Sequence, residues 1–314
     1  MKKRTPSRPA RGIAVGTPAS AERVPTLAAL HPAAARWIGA LIRVTSPHPA
    51  MTRILDVIER LQDRPYPTNV VLLGEPGTGK EGLGRALHHL ISPGAPLVRL
   101  DVAGFAEREA LARLCGDGKH GGAAHQADGG ALLIEEIAGL GPVVQETLLR
   151  LLKHGSVDAG DAGQGGRRLN VRAIVMSDRD LAAEVTAGRF RHDLYYRLAR
   201  VVLWLPPLRE RPEDIAAAAL WMGNRILRDA GLSLELMSGE QLQRATAAER
   251  AAALELDTSA VRVLEEHRWP GNLRELEAVL ERALLLYRKG AIIGAPAIRA
   301  ALGESDTPRP VGHS

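Results

Sequence analysis

The stretch Gly74-Glu75-Pro76-Gly77-Thr78-Gly79-Lys80-Glu81 constrains this chain more than any other part of it. It follows the apolar run Asn69-Val70-Val71-Leu72-Leu73, which reads as a buried strand, and precedes residues 82–90, which read as a helix. Strand, glycine-rich turn, lysine and helix together make a cradle for phosphate. The glycines let backbone N–H groups turn toward an anion with no Cβ in the way. The helix N-terminus adds its partial positive charge. Lys80 would reach the β and γ phosphates of a nucleotide. An ordinary glycine-rich turn is the plainer alternative, but the flanking strand and helix are the context the motif requires. One departure matters: the strict loop ends in Lys-Ser/Thr, whose hydroxyl ligates Mg2+, and Glu81 stands there instead.

Strand and helix patterns alternate around this loop. Residues 70–73, 97–102, 131–134, 171–176 and 201–205 are the expected strands, with helices between them, such as Pro142–His154 with its proline at a first helical position. A helix is also expected over 50–62, with Met51, Ile54, Leu55 and Ile58 on one face. Alternation of this kind predicts an α/β fold, a parallel sheet covered on both faces. From Pro212 onward the pattern turns all helical, with helices over 258–267 and 272–289 joined by Trp269-Pro270-Gly271. The expected organisation is a basic, Ala/Pro-rich, mostly disordered segment over 1–45, with one short helix at 33–44. A nucleotide-binding core over 46–211, a small all-helical lid over 212–303 and a disordered tail over 304–314 follow.

Composition sets outer bounds. The single cysteine, Cys115, rules out an internal disulfide and suits a reducing cytoplasm. No run of 18 apolar residues occurs, so no membrane partner or span is expected. The net charge of +5 permits nucleic-acid contact without demanding it, and the basic residues before Arg23 read as a solvated tail rather than a DNA-binding arm.

Two further segments carry chemistry. Residues 127–137 form an apolar strand that ends in Glu135-Glu136. At this position a P-loop NTPase holds Mg2+ through water on one carboxylate and polarises the attacking water with its neighbour. Glu135 would be the metal-side residue and Glu136 the water-activating one; two glutamates at an exposed strand end are the alternative. Residues 189–198 carry three arginines, of which Arg191 and Arg197 could reach a phosphate on a neighbouring subunit if they project from the same region. A salt-bridged helix surface is the alternative.

Together with Leu205-Pro206-Pro207-Leu208-Arg209-Glu210-Arg211 and Trp269-Pro270-Gly271-Asn272-Leu273-Arg274-Glu275-Leu276, these segments resemble the AAA+ ATPase domain of bacterial enhancer-binding proteins, the activators of sigma-54 RNA polymerase. The resemblance spans roughly residues 46–300. It implies that the loop from Gly74 to Glu81 binds ATP, with Arg274 as the lid arginine, called sensor II, that contacts the nucleotide in the same subunit. It also implies Glu135 and Glu136 as the Walker B pair with Mg2+, Asp178 at sensor I, and Arg191 and Arg197 as trans-acting arginines. A ring, usually a hexamer, with ATP at each subunit boundary follows from the family fold, as does a role in transcription control. The family commonly carries Glu after the loop lysine, as here.

Four departures qualify what is expected. The sigma-contacting loop Gly-Ala-Phe-Thr-Gly-Ala is absent from residues 114–125, and no Phe-Thr pair occurs there. Glu135 replaces the usual Asp, Asp178 replaces the usual Asn, and Asp101 lies where the family often has Asn. Asp101, Glu135, Glu136 and Asp178 should then crowd one site, raising at least one pKa or demanding a cation. ATP binding is expected; an ATPase is the favoured reading, with turnover left open. The alternatives are a hydrolysis-impaired, nucleotide-sensing subunit, in a mixed ring with a complete paralogue, and a remodeller of a non-sigma target. Sigma-54 RNA polymerase stays open as a partner, with the missing loop against it. No receiver domain is read before the core and no helix-turn-helix after Arg288, so specific DNA binding is not expected.

Overall fold

The computed structural model describes residues 48–62, 68–92, 94–102, 104–116, 120–157, 168–286 and 290–303. The expectations for segments 1–45 and 304–314 lie outside the described residues. Helix α1 (Pro49–Gln62) precedes the strand β1 (Val70–Leu73), and Met51 and Ile54 of its apolar stripe are buried.

The core alternates as expected. After β1 come α2 (Lys80–Ile91), β2 (Leu97–Asp101), α3 (Glu107–Cys115), α4 (Ala123–Gln126) and β3 (Ala131–Glu135). Then follow α5 (Pro142–His154), β4 (Arg172–Ser177), α6 (Leu181–Thr186), α7 (His192–Leu198) and β5 (Val201–Trp204). The five strands form one parallel sheet in the order β2-β3-β4-β1-β5. Period-two alternation sends Val70, Leu72, Leu133 and Ile174 to one face, under α1 and α2. It sends Val71, Leu132, Ile134 and Val175 to the other, under α3 to α7. Both faces are buried, which is why these strands read as continuous apolar runs.

This strand order places the site. β1 lies between β4 and β5, so the loop after Leu73 sits beside the end of β4, and the Gly74 N–H donates to Ser177 O at 3.3 Å. β3 lies on the other side of β4 and delivers Glu135 and Glu136 to the same edge. Ligands of such sheets bind at the carboxyl ends of the strands, where the order reverses.

The C-terminal part corrects the expectation of a purely helical lid. Helices do dominate: α8 (Ile215–Asp229), α9 (Gly239–Arg244), α10 (Ala247–Ala251), α11 (Thr258–Glu266), α12 (Asn272–Leu285) and α13 (Ala295–Leu302). Between them, β6 (Glu235–Ser238), β7 (Ala253–Leu256) and β8 (Ile292–Ile293) pair in parallel as a second sheet. These strands are two to four residues long, and β6 and β7 consist mostly of Ala, Leu, Met and Glu, good helix formers. Packing overrides propensity here: Leu236, Leu254, Leu256 and Ile293 are buried against α8, α11 and α12. Trp269, fully buried, anchors this core and donates from Nε1 to Leu264 O at 2.7 Å.

Helix α2, which carries Lys80, lies hard against the sheet because Gly84 faces it. A Cβ there would meet Leu133 Cδ1 at 2.7 Å and Ile174 Cγ2 at 3.3 Å. Gly84→Val should therefore overpack this contact and cost about 1–3 kcal/mol, read as a lower urea midpoint at unchanged slope.

Candidate functional site

The loop after β1 turns because three of its glycines take positive φ: Gly74 at 151°, Gly77 at 78° and Gly79 at 102°. Gly79 ends the loop and Lys80 opens α2. Lys80 is 8% exposed. Its ammonium folds back over the loop, donating to Gly74 O at 2.6 Å and to Glu75 O at 3.0 Å. Burial lowers its pKa, partly offset by the negative charges of Glu136 and Asp178. Thr78 is buried and closes the turn through Oγ1 to Glu75 O at 2.9 Å. A glycine cradle around a buried lysine fits the phosphate chain of ATP.

The expected acidic crowding is present, sorted into two pairs, each beside a cation. Glu136 and Asp178 hydrogen bond to each other near Lys80. The Glu136 pKa is raised, first by burial, then by the hydrogen bond and charge of Asp178. Glu136 also holds φ at 48°, in the left-handed region, a costly conformation for a side-chain-bearing residue and a feature of functional sites. The second pair is Asp101 and Glu135, neighbours in register at the ends of β2 and β3. There the Arg99 guanidinium forms a 2.6 Å ion pair with Glu135, and the charges of Glu135, Glu81 and Asp101 all raise the Arg99 pKa. Glu81, at the position of the strict loop's hydroxyl, pairs with Arg85 one turn along α2.

No cluster of three or more His, Cys, Asp or Glu side chains set to hold a metal exists among the described residues. That donor set still suits Mg2+, which keeps several waters and takes one or two carboxylates together with phosphate oxygens. Glu135 is the carboxylate on hand, with Arg99 as its present counter-ion.

A third group ties the loop to the lid. Arg209 forms a two-pronged ion pair with Glu75, 2.8 Å to Oε2 and 2.5 Å to Oε1. Asn272, fully buried, donates to Glu75 Oε2 at 3.2 Å and Pro76 O at 3.0 Å, and accepts from the Leu208 N–H at 2.7 Å. The Leu273 N–H donates to Gly77 O at 2.9 Å, and the buried Arg211 donates to Thr78 O at 2.8 Å. Arg274 lies beside Gly77, and its charge adds to the lowering of the Lys80 pKa. Glu75, expected among the nucleotide-binding residues, thus spends its carboxylate on Arg209 and on Asn272 of the lid. Arg209, Arg211 and Asn272 lie within the segments 205–211 and 269–276, where polar groups among apolar neighbours are the available signal. Arg99 gave none beyond a charge in an apolar strand.

Arg191 and Arg197 do not project from one region. They stand at opposite ends of α7, about 9 Å apart along it. Arg191 precedes the helix and pairs with Asp193 at 3.1 Å and Glu146 at 3.6 Å. Arg197, in the last turn, donates to Leu152 O.

The loop–lid contacts carry a pH signature. Arg209, then Asn272, hold the Glu75 pKa at about 2 against an ordinary 4.5. A depressed carboxylate contributes stability above its unfolded pKa and loses it as the pH falls through the folded value. The Leu273 amide should therefore keep its exchange protection down to about pH 4.5 and lose it toward pH 2. Asn272→Ala should remove that protection at neutral pH and cost about 1–3 kcal/mol, because it leaves buried backbone groups unpaired.

Comparison with known proteins agrees with this geometry. The family described as Sigma-54 interaction domain matches residues 44–204, and the AAA+ ATPase lid domain matches 234–312. The Nif-specific regulatory protein of Azotobacter vinelandii is 38% identical over 255 residues, 78% of this chain and 44% of that protein. The transcriptional regulatory protein ZraR of Escherichia coli K12 is 36% identical over 276 residues, 85% of this chain and 57% of that protein. The chain spans about half the length of these relatives. Crystal structures of NtrX from Brucella abortus, one in complex with ADP and one with ATP, superpose at a TM-score of 0.68 with 27% identity. They cover 88% and 84% of this chain and 59% and 56% of NtrX. With just over half of its residues inside the matched domain, the chain belongs to the sigma-54 interaction domain family and carries its nucleotide-binding AAA+ core.

Proposed function

We propose that this chain binds ATP with Mg2+ at the Gly74–Glu81 loop and hydrolyses it between subunits of a ring, as part of a transcription regulator of the sigma-54 activator type. The observation that carries the reading is the convergence of Lys80, Glu136 and Asp178 at the carboxyl ends of β1, β3 and β4. Lys80 takes the β and γ phosphates. Glu136 orients and deprotonates the attacking water. Asp178 fills the sensor position beside it. Glu135 holds Mg2+ through water, and the cation would neutralise charge on the phosphate oxygens. Arg274 reads the nucleotide from the lid. Arg191 and Arg197 act on the nucleotide of an adjacent subunit, from two separate places. The ring is a hexamer in this reading, with sigma-54 RNA polymerase as its target only if another segment replaces the missing contact loop. The chain works in the cytoplasm.

The Glu136–Asp178 contact supports a second reading. Burial and then Asp178 raise the Glu136 pKa, and a carboxyl that keeps its proton cannot take one from water, so the same contact would slow turnover and leave the chain a nucleotide-sensing subunit. Asp178→Asn separates the two. It removes the like charge and restores a hydrogen-bond donor, so Glu136 ionises at lower pH. The rate rises with pH as Glu136 deprotonates; Asp178→Asn should move that limb to lower pH and raise the rate on its acid side by up to about tenfold. An unmoved limb would remove Glu136 from the role of base.

ATP hydrolysis across a protein concentration series tests the ring itself. The rate per subunit should rise with concentration and vanish in Lys80→Ala. A rate independent of concentration would rule out action between subunits.

A further inference from the structure

A cavity of about 780 Å3 opens at the opposite end of the sheet from the P-loop. Its walls are the starts of β1, β4 and β5 and the C-terminal end of α5, about 16 Å along β1 from Gly74. Six basic residues line it: Arg60, Lys153, His154, Arg168, Arg197 and Arg200. Among the described residues no carboxylate lines it.

Helix-end chemistry accounts for only part of this set. The C-terminus of α5 favours nearby cations, and Arg197 already donates two N–H groups to Leu152 O there. Lys153 and His154 belong to that same last turn, with Asp193 within electrostatic reach of Lys153. Arg60 comes from α1, Arg168 from the approach to β4 and Arg200 from the approach to β5. All three are exposed, and no ion pair engages them among the described residues. Like charges brought together from separate elements in a concavity repel one another, and a bound anion relieves the repulsion. Arginine forks match phosphate oxygens. The volume lies within the range of small-molecule sites, more than a lone phosphate needs. The lysine and four arginines of the set carry five positive charges, close to the negative charge of a nucleoside triphosphate.

We infer that this cavity binds the phosphate chain of a nucleotide, at a site separate from the P-loop of the same chain. Two sources share that chemistry: a free nucleotide, or the nucleotide held by the P-loop of a second copy. Arg197, already assigned to an adjacent subunit's nucleotide, would then act with Arg60, Arg168 and Arg200 rather than alone. The inference goes beyond the P-loop reading, and Lys80→Ala keeps the two apart.

The test is binding of a fluorescent ATP analogue, with circular dichroism confirming that each variant is folded. Lys80→Ala protein that binds the analogue, and binds it about tenfold or more weakly once Arg168→Glu and Arg200→Glu are added, supports a free nucleotide. Lys80→Ala protein that is silent alone but tightens binding by the Arg168→Glu/Arg200→Glu protein supports the second copy's nucleotide, provided the triple variant does not. Arg168→Ala/Arg200→Ala replaces the reversal if the latter misfolds. The inference is overturned if neither effect occurs. It is also overturned if a short DNA duplex binds through Arg168 and Arg200 while ATP and inorganic triphosphate fail to compete.

Discussion

Burying one ammonium group organises much of this molecule. Lys80 must lose most of its water to sit at the head of α2, and an unpaired charge there would be costly. The backbone carbonyls of Gly74 and Glu75 accept its protons, which fixes the loop. Glu136 and Asp178 supply the balancing charge, which fixes the ends of β3 and β4 relative to β1. The close approach of α2 to the sheet at Gly84 then sets how deep the lysine can sit. Loop, strand order and helix packing are thus three solutions to one electrostatic demand.

The acids that depart from the family pattern are handled in the same way. Each pair of carboxylates has its own cation, Lys80 for Glu136 and Asp178, Arg99 for Glu135. In the proposed reading a nucleotide with Mg2+ would change that balance, since the metal would compete with Arg99 for Glu135. Glu135 and Asp178 are therefore both accommodated at the strand ends.

Most of the α/β core was legible in the sequence because its strands are buried on both faces and flanked by clear punctuation. Val70–Leu73 between Asn69 and Gly74 has no competing reading. The acidic crowding was legible too, once strand ends were placed side by side. The small lid sheet was not. Its strands are too short to show a period, and Ala253-Leu254-Glu255-Leu256 favours helix by local preference; only burial against α8, α11 and α12 decides otherwise. Whether Arg191 and Arg197 share a region stays open in the sequence for a simpler reason: six residues along a helix turn a side chain well away from its start. The lid contacts of Glu75, Arg209 and Asn272 join residues up to 197 apart in the chain, a pairing that no local pattern encodes.

At Gly77 a Cβ would lie 2.3 Å from the Gly271 carbonyl oxygen, so two stretches of backbone touch where side chains would normally intervene. Neither segment can drift alone under mutation: a bulkier residue in the loop must be met by a retreat of the turn before α12. For anyone building hybrids of this protein with its relatives, the natural seam is therefore not the end of the α/β core. A graft that takes the lid must bring its own phosphate loop with it.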